Sequence, residues 1–287
     1  MQITCKELNF IYNEKTEFSR QALKDVSLTI LEGDFFGIIG QTGSGKSTFI
    51  QHLNGLIPVQ KGSLKVGEFD LSNGKKTDKK LLKELRKKVG MVFQYPEYQL
   101  FAETCYEDVA FGYRNFINGS KEDELSAVKS AIESVGLDFE QVKNKSPFDL
   151  SGGQKRRIAI AGVIVTKPEV LILDEPVAGL DPLGKKELMK LLHSLHETVC
   201  KTIIIVSHDM DEVCENCNKI AVFRHGTCVL TETPEILFSK RDMLNELRLD
   251  VPITAKIVDE LKKRGVDIDT NYKMQDFIDK ITNKYKE

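Results

Sequence analysis

The chain has 287 residues, of which 29 % are charged, and its formal net charge is −2. A chain of this length can bury a sizeable core and could hold one large domain or two small ones. The balanced charge produces no global basic field, so composition gives no support to nucleic-acid binding. No apolar run approaches the ~18 residues needed to span a bilayer, and the N-terminal segment does not resemble a signal peptide. We therefore expect a soluble, cytosolic protein that can dock on a membrane protein.

Short apolar segments alternate with helical patterns along the first 240 residues or so. The apolar segments suit strands covered on both faces, as in a parallel sheet between helices, and the alternation predicts an α/β fold. The predicted strands are Phe35–Ile39, Val89–Phe93, Val170–Leu173, Thr202–Val206 and Ile220–Arg224. The predicted helices include Lys46–Leu53, Glu122–Val135, Gly153–Val165 and Lys185–Val199.

Three segments depart from this alternation. The stretch Phe116–Leu150 is mostly helical, as an inserted helical subdomain would be, and amphipathic helices (Ala255–Arg264 and Met274–Tyr285) form a small C-terminal appendage beyond about residue 240. The third segment, Lys75–Lys88, is rich in Lys and Arg and could be a nucleic-acid patch. An apolar stripe within it favours a solvated helix instead; the residues of that stripe are Leu81, Leu82 and Leu85.

A glycine-rich loop follows the first predicted strand. The segment 40–47 matches the pattern GxxxxGK[ST] and opens a helix, as a phosphate-binding loop does. Glycines allow the backbone amides to surround an anion, and the helix N-terminus adds the positive end of its dipole. Lys46 should pair with the β- and γ-phosphates of a nucleotide, and the Ser47 hydroxyl should bind Mg²⁺.

The predicted strand Val170–Leu173 is followed by two carboxylates, Asp174 and Glu175. Adjacent residues of a strand point to opposite sides, so the two carboxylates have different tasks. Asp174 is the expected Mg²⁺ partner, and Glu175 is free to orient or deprotonate the attacking water. An acidic turn at a strand end is common by itself, but the phosphate-binding loop requires such a partner.

Two further polar residues follow predicted strands. His208 lies in Ser207-His208-Asp209 after the strand Thr202–Val206. A serine-hydrolase triad is excluded because three consecutive side chains cannot form one mutual hydrogen-bonded array. His208 is instead a candidate sensor of the γ-phosphate. Gln94 follows the strand Val89–Phe93 and is a candidate hinge that contacts Mg²⁺ or water.

The pentapeptide Leu150–Gln154 reads Leu-Ser-Gly-Gly-Gln. With the preceding motifs, in the same order, it resembles the signature of the nucleotide-binding subunits of ABC transporters, and the resemblance covers roughly residues 1–235. It implies a P-loop ATPase fold with a mainly parallel sheet, an N-terminal antiparallel β part and a helical subdomain at about 96–165. It also implies that Tyr12 stacks on adenine, that Gln94 and His208 are the Q-loop and switch residues, and that 178–181 is the D-loop. The signature then closes over ATP held by a second ATPase subunit.

A narrower resemblance is to the ATPases of energy-coupling factor (ECF) transporters, particularly the second of the paired ATPases. The resemblance to the ECF group rests on the segments 94–101, 107–112, 146–157, 159–163 and 249–252. The resemblance to the second of the pair rests on the segments 41–43, 51–55 and 174–181. Gln41 departs from the His that usually precedes Thr-Gly in that loop. The resemblance implies a transmembrane T component, a substrate-binding S component, vitamins or metal ions as cargo, and a peripheral location on the cytoplasmic side of the cell membrane. It also implies that the appendage, 241–287, follows an ATPase domain, 1–240, and helps the two ATPases to dimerise. Acidic residues near the Q-loop would suit a basic membrane partner; they are Glu97, Glu103 and Asp108.

The candidate residues therefore fall into three sets. The expected catalytic residues are Glu175, His208 and Lys46, and the expected Mg²⁺ ligands are Ser47, Gln94 and Asp174. The expected ATP-binding residues are Tyr12, Gly40, Gln41, Thr42, Gly43, Ser44, Gly45, Lys46, Ser47, Thr48, Gln94, Ser151, Gly152, Gly153 and Gln154.

Alternatives to this interpretation remain open at the level of the sequence. A conventional importer would use a soluble substrate-binding protein, and a soluble ABC ATPase would act on nucleic acid or the ribosome. The absence of a coiled-coil insertion and of a second ATPase cassette argues against the latter. A non-enzymatic regulator is disfavoured by Glu175.

The pair Cys214 and Cys217 has CxxC spacing but no second ligand pair, so we expect reduced thiols rather than a zinc site.

Overall fold

The structure is a computed structural model that describes residues 1–72 and 78–284. Its strands, in chain order, are β1 (Ile3–Tyr12), β2 (Arg20–Ile30), β3 (Phe35–Gly40), β4 (Lys61–Val66), β5 (Phe69–Asp70), β6 (Val89–Val92), β7 (Val170–Asp174), β8 (Thr202–Val206), β9 (Lys219–Arg224) and β10 (Thr227–Glu232).

The helices, in chain order, are α1 (Lys46–Leu53), α2 (Lys79–Lys88), α3 (Cys105–Phe116), α4 (Lys121–Ser134), α5 (Phe139–Val142), α6 (Gly152–Ile164), α7 (Pro182–Thr198), α8 (Met210–Asn216), α9 (Pro234–Ser239), α10 (Arg241–Glu246), α11 (Ile253–Lys263) and α12 (Met274–Lys284). Short 3-10 turns at Pro96–Gln99 and Pro147–Asp149 precede α3 and α6.

The larger sheet has six strands in the order β10-β9-β3-β8-β7-β6. All its neighbouring strands are parallel except β10, which is antiparallel to β9. The central strands β3 and β8 are buried along their whole length, which explains their unbroken apolar sequences. Because the strands are parallel, the carboxyl ends of β3, β7 and β8 meet at one edge, where functional residues of such sheets gather. The predicted α/β fold with a mainly parallel sheet is confirmed.

A smaller antiparallel sheet, ordered β2-β1-β4-β5, packs over the larger one. Its inward-facing side chains share a hydrophobic cluster with residues of β3 and α1, including Leu23, Phe36 and Phe49. The hairpin of β1 and β2 pairs Tyr12 with Arg20 at the end next to its connecting turn. This packing brings both side chains to the amino end of α1.

Between β6 and β7 the described chain forms helices joined by loops, with no strand. Most of its helices begin at a side chain that accepts a hydrogen bond from the first turn, which fixes where each helix starts; these N-caps are Thr104, Ser120, Asp138 and Ser151. The Lys- and Arg-rich segment forms α2 from Lys79 onward, with Leu85 buried, and the predicted residues 75–77 lie outside the described residues.

The C-terminal residues form α10, α11 and α12. A small cluster of Val258, Ile268 and Phe277 holds the last two helices together. Leu244 and Leu247, by contrast, pack in the main core with residues from before position 240. Packing therefore does not separate the chain at residue 240, and that domain boundary stays a prediction. Within the described ranges, no helix has the length and apolar character needed to cross a membrane.

Candidate active site

The glycine-rich loop joins β3 to α1 and takes a conformation that other residues adopt poorly. Gly43 and Gly45 have φ of +79° and +104°. A Cβ on Gly45 would stand 2.6 Å from the carbonyl oxygen of Ala22, so this loop needs glycine for both conformation and space. The loop backbone therefore turns directly into the N-terminus of α1, where amide groups are free to meet an anion.

Lys46, the first residue of α1, is buried at the centre of this loop. Its ammonium donates hydrogen bonds to the carbonyl oxygens of Gly40 at 2.7 Å and Gln41 at 3.1 Å. Burial lowers the pKa of Lys46, although the nearby charges of Glu175 and Asp174 oppose that effect. A buried cation beside two carboxylates is well placed to meet the phosphates of a nucleotide.

Asp174 ends β7 next to the loop. Burial raises the pKa of the Asp174 carboxyl, while a hydrogen bond with Ser47 and the charge of Lys46 act in the opposite direction. A hydroxyl and a carboxylate together suit Mg²⁺, which usually takes one or two carboxylates and completes its shell with water and phosphate oxygens. No cluster of three His, Cys, Asp or Glu able to hold a metal occurs in the described ranges.

Glu175 and His208 face each other across the ends of β7 and β8. The Nδ1 of His208 lies 2.6 Å from a carboxylate oxygen of Glu175, and 75 % of the histidine side chain is exposed. The backbone of Glu175 has φ of +50°, an uncommon conformation for a residue other than glycine. Its amide donates to the carbonyl oxygen of Val206, so the hydrogen bond between the two strands holds this conformation in place.

These residues surround a cleft of about 490 Å³, within the usual size range of ligand sites. The cleft is lined by Tyr12, Arg20, Ala22, Thr42, Gly43, Gly45, Lys46, Ser47, Thr48, Gln94, Asp174, Glu175, Val206 and His208. It thus brings together every predicted catalytic and Mg²⁺-binding residue. The remaining loop residues do not line it: Gly40 and Ser44 are buried and Gln41 is exposed.

Arg20 is the one charged residue among the three lining residues that sequence reasoning missed; the other two are Ala22 and Val206. Its guanidinium lies against the loop, since a Cβ on Gly43 would come within 3.1 Å of it. The sequence signal was indirect: only the pairing of β1 with β2 brings Arg20 beside Tyr12. Arg20 therefore adds a second cation, after Lys46, to the phosphate side of the cleft.

The signature residues do not line this cleft. Ser151 caps α6 by accepting from the amide of Gln154, whose side-chain oxygen accepts from the Ser151 amide in return. Gly152 and Gly153 are exposed, and a Cβ added to either would meet nothing within 4 Å. The fold of this chain thus leaves both positions free for a larger residue.

Arg156, one turn further along α6, ties the Q-loop region to the segment after Glu175. It is buried and donates to both carboxylate oxygens of Glu97, and to the carbonyl oxygens of Pro176 and Ala178. Burial raises the pKa of Glu97, but the hydrogen bonds from Arg156, a backbone hydrogen bond and the charge of Arg156 together outweigh it and hold the pKa below its usual value. The arginine therefore joins three of the predicted functional segments.

Comparison with known proteins identifies the class of this site. The family model for ABC transporters matches residues 23–178. The chain is 50 % identical over 271 residues to the energy-coupling factor transporter ATP-binding protein EcfA2 of Clostridioides difficile strain 630, which covers 93 % of this chain and 92 % of that protein. It is 46 % identical to the EcfA2 protein of Clostridium tetani, over 94 % of this chain and 92 % of that protein.

Two solved structures are similar as well. The structure of cbiO1 from Clostridium perfringens, described as part of the ABC transporter complex cbiONQ, aligns with a TM-score of 0.75 and 35 % identity over 90 % of this chain and 98 % of that one. A dimeric post-hydrolysis state of the ATP-binding cassette MJ0796, bound to ADP and Pi, aligns with a TM-score of 0.70 and 29 % identity over 80 % of this chain and 98 % of that one. The chain belongs to the ABC transporter ATPases, and within them to the energy-coupling factor ATP-binding proteins. It is an ATP-binding and ATP-hydrolysing subunit.

Proposed function

We propose that this ATPase powers the uptake of vitamins or metal ions by an energy-coupling factor complex, with a transmembrane T component and a substrate-binding S component as partners. Support comes from the relatives, which are named as energy-coupling factor transporter ATP-binding proteins, and from cbiO1, described as part of a complex. In this arrangement the protein is peripheral on the cytoplasmic side of the cell membrane.

The working unit in this proposal is a dimer of ATPase subunits, identical or different. The observation that carries it is the separation of the signature from the cleft of its own chain. Gly152 and Gly153 stand at the N-terminus of α6, whose first turn has no acidic side chain. No other described residue occupies the space above them, so a group from outside the chain can approach their backbone closely. A phosphate bound to the facing subunit suits that position.

Each residue then has a distinct role in hydrolysis. Tyr12 stacks on adenine, while Lys46, Arg20 and the loop amides bind the phosphates. Mg²⁺ would be held by the Ser47 hydroxyl, the Asp174 carboxylate and the Gln94 amide, and would neutralise charge on the β- and γ-phosphate oxygens. Glu175 orients the attacking water, and His208 holds that carboxylate in place through the 2.6 Å contact. His208 is also exposed enough to reach the γ-phosphate.

The proposed membrane contact lies around the Q-loop. Large aromatic side chains are exposed there, including Tyr98 at 84 %, Phe101 at 60 % and Phe111 at 51 %, and such side chains are typical of the centre of an interface. Two of the three acidic residues expected to meet a basic partner are engaged within this chain instead. Glu97 pairs with Arg156, and Asp108 accepts from the amides of Phe101 and Ala102.

The appendage has a place in the same proposal. We divide the chain into an ATPase domain, 1–240, and an appendage, 241–287, that helps the two ATPases to stay together. Ile253, Ile257, Met274 and Ile278 are exposed on α11 and α12. Exposed apolar side chains on two neighbouring helices suit contact with another protein surface.

The catalytic assignment is tested by Glu175→Gln. We expect ATP hydrolysis to fall by at least about a hundredfold, the usual contribution of a positioned base, while ATP binding is kept because no phosphate contact is lost. For the unaltered protein, the rate should rise more steeply than linearly with protein concentration. A rate linear in concentration, with no dependence on a partner, would contradict the shared site.

The transport assignment is tested by purifying the intact membrane complex and identifying its subunits. The proposal expects a T component and an integral S component. Recovery of a soluble substrate-binding protein with two ordinary membrane subunits would indicate a conventional importer instead.

A further inference from the structure

Helix α8 begins directly after the His208 loop and faces two parts of the molecule. Its residues Asp211 and Glu215 are one turn apart on the exposed side, whereas Glu212 is buried on the other side. The exposed side meets the appendage, and the buried side meets the loop that carries His208. The helix is thus a short rigid element between two parts of the proposed ATPase.

On the buried side, hydrogen bonds hold both neighbours of His208. The Ser207 hydroxyl donates to a carboxylate oxygen of Glu212 at 2.7 Å. Asp209 caps α8 by accepting from the Glu212 amide at 3.1 Å, and its other oxygen accepts from the ammonium of Lys185 at 2.8 Å. The backbone of His208 is therefore held on both sides, and both anchors involve Glu212 of α8.

On the exposed side, α8 supplies hydrogen-bond acceptors to both appendage helices. Asp211 accepts from the amide of Ile253, the first residue of α11, at 2.7 Å. The residue before it is Pro252, which offers no side-chain cap of its own. Glu215 accepts from the amide of Met274, the first residue of α12. Carboxylates at these positions satisfy free amide groups and meet the positive end of each helix dipole.

We propose that Asp211, Glu212 and Glu215 are positioning residues through which the appendage holds α8, and α8 holds His208, in the geometry required for hydrolysis. The inference deepens the proposed function, because it rests on the role of His208 beside Glu175. A second contact also connects the appendage to the site. The side-chain amide of Gln41, in the phosphate-binding loop, donates to the carbonyl oxygen of Arg248 at 3.5 Å. The appendage thus touches the site from two directions.

The test is the double variant Asp211→Ala/Glu215→Ala, assayed for steady-state ATP hydrolysis. Both side chains are exposed, so their removal should leave the fold intact. We expect kcat to fall on the order of tenfold, as a misplaced catalytic group causes, with KM for ATP unchanged. Hydrogen exchange at the Ile253 and Met274 amides should become faster. The matched control is Asp211→Asn/Glu215→Gln, which keeps an acceptor oxygen at each position and should keep kcat.

Rates are compared at saturating protein concentration, because weaker dimerisation would shift the concentration dependence and leave the plateau unchanged. An unchanged plateau kcat in the alanine variant, despite faster amide exchange, would overturn the inference. A lower kcat with unchanged hydrogen exchange at these two amides would overturn it as well, because the loss of activity would not result from loss of their hydrogen bonds to α8. Failure of the underlying function is distinguished by His208→Ala, which would then retain full kcat.

Discussion

Tyr12 is held in position by the protein itself. Its hydroxyl lies 3.2 Å from the hydroxyl of Thr48, and its ring is nearly perpendicular to that of Phe10, with 4.7 Å between the ring centres. The side chain is still 38 % exposed at the mouth of the cleft. An aromatic face that is rigid and accessible before the nucleotide arrives loses little conformational entropy when a base stacks on it.

We predict that Tyr12→Trp gives a fluorescence signal for ATP binding without loss of affinity. The chain contains no tryptophan, so the introduced residue would be the only one. Stacking on adenine should quench or shift its emission, whereas inorganic tripolyphosphate, which has no base, should not. Tyr12→Ala should weaken ATP binding about tenfold, since stacking on an aromatic side chain contributes roughly 1–3 kcal/mol per base. An identical response to ATP and tripolyphosphate would contradict the adenine assignment.

The signature glycines allow stability and activity to be separated. At Gly152 an added methyl group meets nothing within 4 Å, and the residue lies in the first turn of a helix, where alanine is at least as favourable. We predict that Gly152→Ala leaves the melting temperature unchanged or slightly higher, yet removes most ATP hydrolysis by crowding the facing phosphate. Calorimetry and an ATPase assay on the same preparation test this. Normal hydrolysis would show that no phosphate approaches Gly152.

At the scale of single residues, motifs predicted the cleft well because their chemistry is local. Lys46, Ser47 and Asp174 meet since the phosphate-binding loop and the neighbouring strand end lie at one sheet edge. The place of Arg20 in the cleft was not predicted, because no motif contains this residue. Its position depends on the antiparallel pairing of β1 with β2, which the sequence pattern did not reveal. The bond between Glu97 and Arg156 links residues 59 apart in sequence, and such pairs are visible only after folding.

Among the elements, α8 combines a buried carboxylate with a functional loop. Burial raises the pKa of Glu212 from 4.5 to about 7, against the opposing hydrogen bond from Ser207. One of its oxygens has no hydrogen-bond partner in the part of the chain that the structure describes. The folded state therefore binds the Glu212 proton more tightly than the unfolded state does. This carboxyl costs no stability below pH 4.5, costs more as the pH rises toward 7, and costs the full amount above 7.

We predict that Glu212→Gln, which resembles the protonated residue, stabilises the protein at pH 8 by up to about 3 kcal/mol and has little effect at pH 4.5. Urea unfolding at both pH values measures the difference between variant and unaltered protein. Glu235→Gln, at an exposed position on α9, serves as the control and should show no such pH dependence. Equal stabilisation at both pH values would mean that the Glu212 carboxyl does not titrate in this window.

Most helices and strands that the sequence predicts are present in the structure, and their predicted ends differ from the observed ends by a few residues. Helix α7 begins at Pro182 rather than at the predicted Lys185, because the Asp181 side chain accepts from the amide of Gly184 and starts the helix earlier. Five strands of the larger sheet lie where the apolar runs predicted them. The sixth, β10, was not predicted, because its residues are mostly half-buried and form no continuous apolar run. The smaller sheet was expected only from family resemblance, since its strands are half-exposed and lack a continuous apolar run.

Across the whole molecule, the cleft gathers the predicted catalytic and Mg²⁺-binding residues, and the signature lies outside it. The native cysteines of the chain also interfere little with cross-linking through introduced cysteines, which can locate a second subunit. All six cysteines are free thiols, and five of them, all except Cys228, are buried. Burial raises the pKa of several of these thiols, among them Cys5 and Cys200, each to about 12, so they react slowly with maleimides.

We predict that Thr42→Cys and Ser151→Cys, placed together in the Glu175→Gln variant, are joined between subunits by a short bis-maleimide when ATP is present. Thr42 lines the cleft and Ser151 begins α6, and both are exposed. In a head-to-tail dimer, ATP brings the cleft of one subunit against the signature of the other at both sites, because the two-fold axis repeats the contact. Electrophoresis should then show a covalent dimer that depends on ATP.

Each single cysteine variant is the matched control and should remain monomeric on the gel, because its two introduced cysteines lie at opposite ends of the dimer. A dimer of equal yield without ATP, or from either single variant, would contradict the head-to-tail arrangement of two copies of this chain.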